Sequence, residues 1–331
     1  HHKNGSIKRI LITTVPFGEI NPRPLEMLDE LRSVEYLINP LGRKLKEVEL
    51  IDLIPEFDVV IAGTEPITRQ VLQRAPNLKV ISRVGIGLDN VDLSAARELG
   101  IEVLYTPDAP SAAVAELTIA HMLNLLRHLP QVDRKMRSGT WQRQTGDRLA
   151  NQTVGIIGVG RIGSRVLRIL QGFQPGRILV NDLRPDVDLY RRLHAEHVDK
   201  ETLYREADII SLHVPLTRKT KSLISANEIE LMRSNVRLIN TSRGAIVDEA
   251  ALYAALKAGR IAGAALDVFE AEPYCGKLTE LGNCLLSCHL GSMTRDCRAE
   301  MELRATEGVV RFVRGEKPLN VVPQEEYENQ L

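Results

Sequence analysis

Two doubly wound α/β domains with parallel sheets are the fold class this chain predicts. Short β-branched runs alternate with helical stretches along nearly its whole length. A turn carrying Gly158, Gly160 and Gly163 stands between two apolar runs near the middle. The 331 residues exceed a single core of usual size.

From the N-terminus the β and helical stretches are KRILITT, a helix near residues 24–32, FDVVIAG, TRQVLQRAP, LKVISRVG, DLSAARELG and IEVLY. This βαβ rhythm implies a parallel sheet. The turn TPDAPS then opens a long helical segment, residues 111–128, apolar on several faces and expected to be a buried helix joining the domains. A second βαβ series starts at Thr153 and runs through RILVND, ADIISLHVP, VRLINTS, IAGAALDVF and NCLLSCH. The last helix, residues 294–314, follows that sheet and is expected to cross back to the first domain. The expected domains are therefore 7–107 with 292–331, and 108–291 inserted between them. The polar tail PLNVVPQEEYENQL is expected to be loosely held.

Composition narrows the function. Acidic and basic residues number 43 each, with no long basic block, which disfavours nucleic acid and anionic membranes as partners. No apolar run approaches the roughly 20 residues of a membrane span, and HHKNGS lacks the features of a signal peptide, so a soluble cytoplasmic protein is expected. His1 and His2 read as the remnant of a purification tag. Cys275, Cys284, Cys288 and Cys297 crowd one segment. If NCLLSCH is a strand, Cys284 and Cys288 lie about 13 Å apart, too far to clasp one ion, so reduced, partly buried thiols are expected and no metal.

The segment 153–182, TVGIIGVGRIGSRVLRILQGFQPGRILVND, reads as a dinucleotide-binding turn. Gly158 permits the tight turn, Gly160 lets the backbone approach a pyrophosphate, and Gly163 lets the helix pack on its strand. The pyrophosphate would sit on free helix N–H groups. Asp182, 19 residues after Gly163, would accept hydrogen bonds from both ribose hydroxyls, favouring NAD over NADP. Arg184 is the dissenting residue, since it could meet a 2′-phosphate.

Three further residues sit at C-terminal ends of predicted strands, where open α/β sheets place ligands: Arg243 in INTSRGAIVDEAAL, Glu272 in LDVFEAEP and His289 in SCHLGSMT. Oxidation of a 2-hydroxy acid needs a base, a cation for the carboxylate and a nicotinamide in hydride reach. His289 suits the base because imidazole titrates near neutrality, Glu272 would orient it, and Arg243 can grip a carboxylate bidentately. Singly, each has an ordinary structural reading: a sheet-edge ion pair, a helix-start acid, a satisfied core histidine.

With these motifs the chain resembles the D-isomer-specific 2-hydroxyacid dehydrogenase family, in its phosphoglycerate dehydrogenase-like branch, over nearly its whole length. RVGIGLDNVDLSAA, VAELTIAHML, GIIGVGRIG, SLHVPLTRKTKSLI, INTSRGAIVDEAAL and ALDVFEAEP carry the resemblance. It implies a flavodoxin-like substrate domain and a Rossmann NAD domain with an active-site cleft between them, a homodimer bound through the cofactor domains, and hinge closure before hydride transfer. Arg243, Glu272 and His289 match the family's arginine, glutamate and histidine. Thr64 and the backbone at Val84 and Gly85 match the part that holds substrate. Further implied cofactor contacts are Arg161 and Ile162 at the pyrophosphate, His213 and Pro215 near the adenosine, Thr241 and Asp267 near the nicotinamide, and also Thr220 and Gly291, with Asp267 anchoring the carboxamide.

Departures bear on substrate. Glu65, in AGTEPITR, stands near where a phosphate would need a cation, which argues against phosphoglycerate unless Arg69 or a partner-chain arginine compensates. The family's His-Ile-Gly-Gly turn reads His289-Leu290-Gly291-Ser292. The lone Trp141 is expected to anchor its loop, or alternatively to reach a neighbouring subunit's site. The expected activity is NAD-dependent interconversion of a D-2-hydroxy acid and its 2-oxo acid. The alternatives are a phosphite-type dehydrogenase on the same scaffold and an NAD(H)-sensing, corepressor-like binding protein.

Overall fold

The computed structural model describes residues 7–330; the tag histidines read at positions 1 and 2 lie outside the described residues. The chain forms two compact units, one of residues up to Pro110 with those from Ser292 onward, the other Ser111–Gly291.

The first unit runs β1 (Arg9–Ile12), α1 (Arg23–Asp29), β2 (Glu35–Ile38), α2 (Glu47–Leu53), β3 (Val59–Ala62), α3 (Arg69–Gln73), β4 (Val80–Arg83), α4 (Leu93–Glu98) and β5 (Glu102–Leu104). The second begins with α5 (Ser111–Arg127) and α6 (Leu129–Arg137), then β6 (Thr153–Ile157), α7 (Arg161–Leu170), β7 (Arg177–Asn181), α8 (Val187–Arg192) and β8 (Glu196–His197). It continues as α9 (Lys200–Glu206), β9 (Ile209–Leu212), α10 (Ala226–Leu231), β10 (Arg237–Asn240), α11 (Glu249–Lys257), β11 (Gly263–Leu266) and β12 (Cys284–Leu286). The chain then returns to the first unit as α12 (Arg295–Val313) and α13 (Gln324–Asn329).

The first sheet has the order β2-β1-β3-β4-β5 and the second β12-β11-β10-β9-β6-β7-β8, with parallel pairing throughout. Helices cover both faces, so β3, β4, β9 and β11 are buried at every position, and β3 and β11 carry no polar side chain on either face. Strand order reverses between β1 and β3 and between β6 and β9. Such reversals open a crevice beyond the carboxyl ends of the strands.

Helix starts follow from side-chain caps. Asp92, Asp199, Asp248 and Thr294 each accept the backbone N–H three residues on, opening α4, α9, α11 and α12. α12 is fastened to its unit by buried polar contacts: Ser82 Oγ donates to Ala305 O, Arg298 Nη2 to Thr14 Oγ1 and Pro16 O, and the Gly18 N–H to Glu302 Oε1.

Four expectations change. β2 and α2 are additional elements; β2 lies at a sheet edge, where no position is fully buried and the apolar signal is weak. The segment expected as one helix to residue 128 ends at Arg127, because His128 turns left-handed (φ 55°), and α6 then restarts with no buried residue. NCLLSCH is strand only over Cys284–Leu286, and residues beyond it turn. The tail is docked rather than loose. Val322 is buried, its N–H donates to Val103 O, the Arg97 guanidinium lies 3.9 Å from the Tyr327 ring centroid, and Gln330 donates to Leu88 O and Val91 O. Among the described residues no helix is long and apolar enough to cross a membrane. Cys284 and Cys297 are buried, and burial pushes their thiols up to about 12 and about 11, while Cys275 and Cys288 are exposed.

Candidate active site

The glycine turn lies at the β6/β9 reversal. Gly158 has φ +87°, and a Cβ there would stand 2.3 Å from His213 O. A Cβ on Gly163 would stand 1.9 Å from Gly158 O, so both glycines are required by the fold itself. Gly160 is different. A Cβ there would meet nothing within 4 Å, and its φ is −82°. The protein leaves at Gly160 the space that a pyrophosphate backbone contact needs. α7 starts at Arg161 with no side-chain cap, the kind of helix start at which an anion can sit, while Ile162 packs against the core behind. These residues fit a dinucleotide.

Asp182 ties the turn to the end of β7: Oδ2 accepts the Val159 N–H at 2.6 Å and Oδ1 the Arg184 N–H at 2.7 Å. His213 follows β9, with Nε2 2.7 Å from Ser211 Oγ, and burial pushes its imidazole down to about 4. It is neutral at pH 7 and offers a flat surface, not a charge. Pro215 O accepts from Thr220 Oγ1 at 2.5 Å and the Thr217 N–H donates to Thr220 Oγ1, so Pro215 and Thr220 close one loop beside it.

Arg243 leaves β10 in extended conformation. Its carbonyl accepts from Asn240 Nδ2 at 2.9 Å, and its Nη1 donates to Ser242 O at 2.6 Å. The next residue, Gly244, comes so close to the following loop that a Cβ would sit 1.9 Å from Phe269 C. That contact presses the Arg243 loop against the loop holding Glu272. Glu272 Oε1 accepts the Phe269 N–H at 3.0 Å, and Oε2 lies 2.8 Å from His289 Nδ1. His289 is about one-third exposed and Glu272 about one-quarter, so the pair is accessible on one side only. A carboxylate only accepts, hence Nδ1 carries the hydrogen and Nε2 is the nitrogen left to exchange a proton.

Asp267 is fully buried. Its carboxylate accepts from Ser287 Oγ, the Leu290 N–H and the Gly291 N–H, so the residue expected at a carboxamide is committed to the turn carrying His289. Thr241 is buried with its Oγ1 2.9 Å from Thr118 Oγ1.

In the first unit, Thr64 is exposed just beyond β3. The Val84 N–H donates to Ala62 O and the Gly85 N–H to Thr106 Oγ1 at 2.7 Å. Neither amide is idle, and a carboxylate at Gly85 would have to displace the threonine. Gly85 has φ +147°, and the Arg83 guanidinium lies 2.9 Å from where a Cβ would stand. Glu65 is buried and accepts from Thr13 Oγ1 and the Gly63 N–H. Arg69 makes a two-pronged, exposed contact with Glu98.

Residues 119–291 match the model of the D-isomer specific 2-hydroxyacid dehydrogenase, NAD binding domain. Across 316 residues the chain is 37% identical to a glyoxylate reductase of Thermococcus litoralis, covering 92% of this chain and 94% of that one. It is 39% identical over 320 residues to a D-3-phosphoglycerate dehydrogenase of Methanocaldococcus jannaschii, covering 95% of this chain and 59% of the relative. A crystal structure of the TT0316 protein from Thermus thermophilus superposes with a TM-score of 0.86 at 34% identity, over 95% of this chain and 100% of that one. This chain belongs to the D-isomer-specific 2-hydroxyacid dehydrogenase family.

The dehydrogenase is an NAD(P)-dependent oxidoreductase. Two of its residues escaped the sequence reading: Ser287, which contacts Asp267, and His121, which contacts Ser287. The signal for His121 was present, as an ionisable residue inside the apolar run of α5. Trp141 does not anchor its loop, since it is 80% exposed.

Proposed function

We propose that this dehydrogenase reduces a small, unphosphorylated 2-oxo acid with NADH, His289 donating the proton. The carrying observation is the 2.8 Å contact between Glu272 Oε2 and His289 Nδ1, which fixes the imidazole and directs Nε2 to substrate. Bound NADH supplies the hydride. Arg243 holds the substrate carboxylate and polarises the carbonyl, Glu272 balances the charge on the imidazolium, and His289 Nε2–H delivers the proton to the forming alkoxide. In oxidation the same groups run in reverse.

Two charges argue for an unphosphorylated substrate: Glu65 lies under the loop that follows β3, and Arg69 is taken by Glu98. NADH is preferred because the Asp182 carboxylate stands where a 2′-phosphate would bring a second negative charge. The backbone at Val84 and Gly85 and the side chain of Thr64 belong to the same proposal as substrate contacts. The exposed apolar residues Leu129, Met136 and Trp141, on and after α6, support a homodimer formed through the second unit.

The test is NADH oxidation at 340 nm with glyoxylate, hydroxypyruvate, phosphohydroxypyruvate, phenylpyruvate and 2-oxoglutarate. Turnover of glyoxylate or hydroxypyruvate at least about 100-fold above phosphohydroxypyruvate, lowered about 10³-fold in His289→Ala, is the expected result. A preference for phosphohydroxypyruvate would refute the substrate class.

A further inference from the structure

Behind His289 lies a second histidine that the chemistry above does not use. His121, on α5, is 4% exposed, and its Nε2 is 3.1 Å from Ser287 Oγ. Ser287 Oγ in turn lies 2.6 Å from Asp267 Oδ1. The Asp267 carboxylate also accepts the Leu290 N–H at 2.8 Å and the Gly291 N–H at 2.9 Å, while its main-chain oxygen accepts the His289 N–H at 2.8 Å. Three consecutive amides, beginning at His289, are thus held by one aspartate.

Proton order along the chain follows from valence. A carboxylate only accepts, so Ser287 gives its single hydroxyl proton to Asp267, and His121 Nε2 must carry the hydrogen that reaches Ser287 Oγ. His121 therefore carries a hydrogen on Nε2. Burial lowers its pKa and outweighs the opposite pull of Asp267, which favours the neutral Nε2–H tautomer over the imidazolium. His289 sits at φ +57°, a left-handed conformation that a non-glycine residue keeps only where its surroundings over-determine it. The surroundings that do so are Asp267 and the groups behind it.

The geometry points to His121 and Ser287 as positioning residues: through Asp267 they hold the turn that aims the His289 imidazole at substrate. This rests on the reading of His289 as the proton donor. Without Ser287 Oγ, Asp267 Oδ1 keeps one donor of two and gains freedom to rotate. Without His121 Nε2–H, the serine hydroxyl loses the partner that orients it. A misplacement of the imidazole by a fraction of an ångström slows proton delivery but leaves the dinucleotide turn at Gly158–Gly163 untouched.

The test compares His121→Leu, Ser287→Ala, the double variant and His121→Gln, whose side-chain amide can replace the donor. With NADH and glyoxylate, kcat falls about tenfold in each single variant while KM for NADH stays within about twofold. The double variant is no slower than the slower single one, and His121→Gln recovers to within about threefold of the parent enzyme. A lowered melting temperature with kcat per folded enzyme unchanged in both single variants overturns the proposal. If the parent enzyme reduces no 2-oxo acid, the proposed function fails, and positioning is then judged from ring 1H–15N spectra. A His289 ring resonance that moves in both variants supports it, and one that stays in place overturns it.

Discussion

One carboxylate oxygen of Glu272 accepts the Phe269 N–H at 3.0 Å, and the other lies 2.8 Å from His289 Nδ1. The carboxylate is itself held by the backbone before it orients the imidazole. Replacing His289 with Ala is expected to lower kcat about 10³-fold, and Glu272→Gln about 10²-fold, the glutamine retaining shape but not charge. NADH affinity, followed by fluorescence titration, should stay unchanged in both. A Glu272→Gln enzyme with parental kcat would remove the glutamate from the chemistry.

The glycines of the turn separate folding from binding. Gly163→Ala places a Cβ 1.9 Å from Gly158 O, and thermal unfolding should show a loss of more than about 2 kcal/mol. Gly160→Ala meets nothing within 4 Å, so it should cost the cofactor-free protein much less stability than Gly163→Ala does. Its NADH affinity should drop about tenfold or more, because the methyl takes the space of the pyrophosphate. Unaltered NADH binding would place the pyrophosphate elsewhere.

Asp182→Ala removes the negative charge beside the ribose site while freeing the Val159 N–H that Asp182 now accepts. The ratio of kcat/KM for NADH over NADPH should fall about tenfold or more. A ratio that stays put would leave Arg184 or the loop shape as the discriminator.

Stability should depend on pH through His213, whose pKa burial brings from 6.5 to about 4. Between those values the unfolded chain binds the proton and the native protein does not. Unfolding free energy therefore rises with pH across this window, and acid withdraws it as pH falls from about 6.5 towards 4. The full contribution is up to about 3 kcal/mol. Urea unfolding at pH 4.5 and 7.5 should show this difference shrinking in His213→Asn. An equal pH dependence in the variant would assign the effect to other groups.

The fold was readable where the chemistry is local and strong. Apolar runs such as VVIA in β3 and the LI of β10 are buried on both faces, which marks them as parallel strands. β2, at a sheet edge, carries too little apolar contrast to be seen, and the restart of the helix at His128 depends on one left-handed residue that no periodicity announces. The tail looked unstructured because its sequence is polar. Val322 and Tyr327 nonetheless cover the apolar side of the first unit's core, and that fit is invisible until the core exists.

Residue order sufficed for the dinucleotide turn, since Gly158 and Gly163 are demanded by covalent geometry and close packing within a few residues. It sufficed too for nominating Arg243, Glu272 and His289, in the loops that follow β10, β11 and β12. What packing alone settled is which groups meet across long separations. Gly244 against Phe269 brings the Arg243 loop to the Glu272 loop. Asp267 turns inward to hold residues 289–291, and His121 reaches Ser287 across 166 positions. Hydrogen bonds last only between groups brought within about 3 Å and kept from water, a condition set by the assembled core and not by the order of residues along the chain.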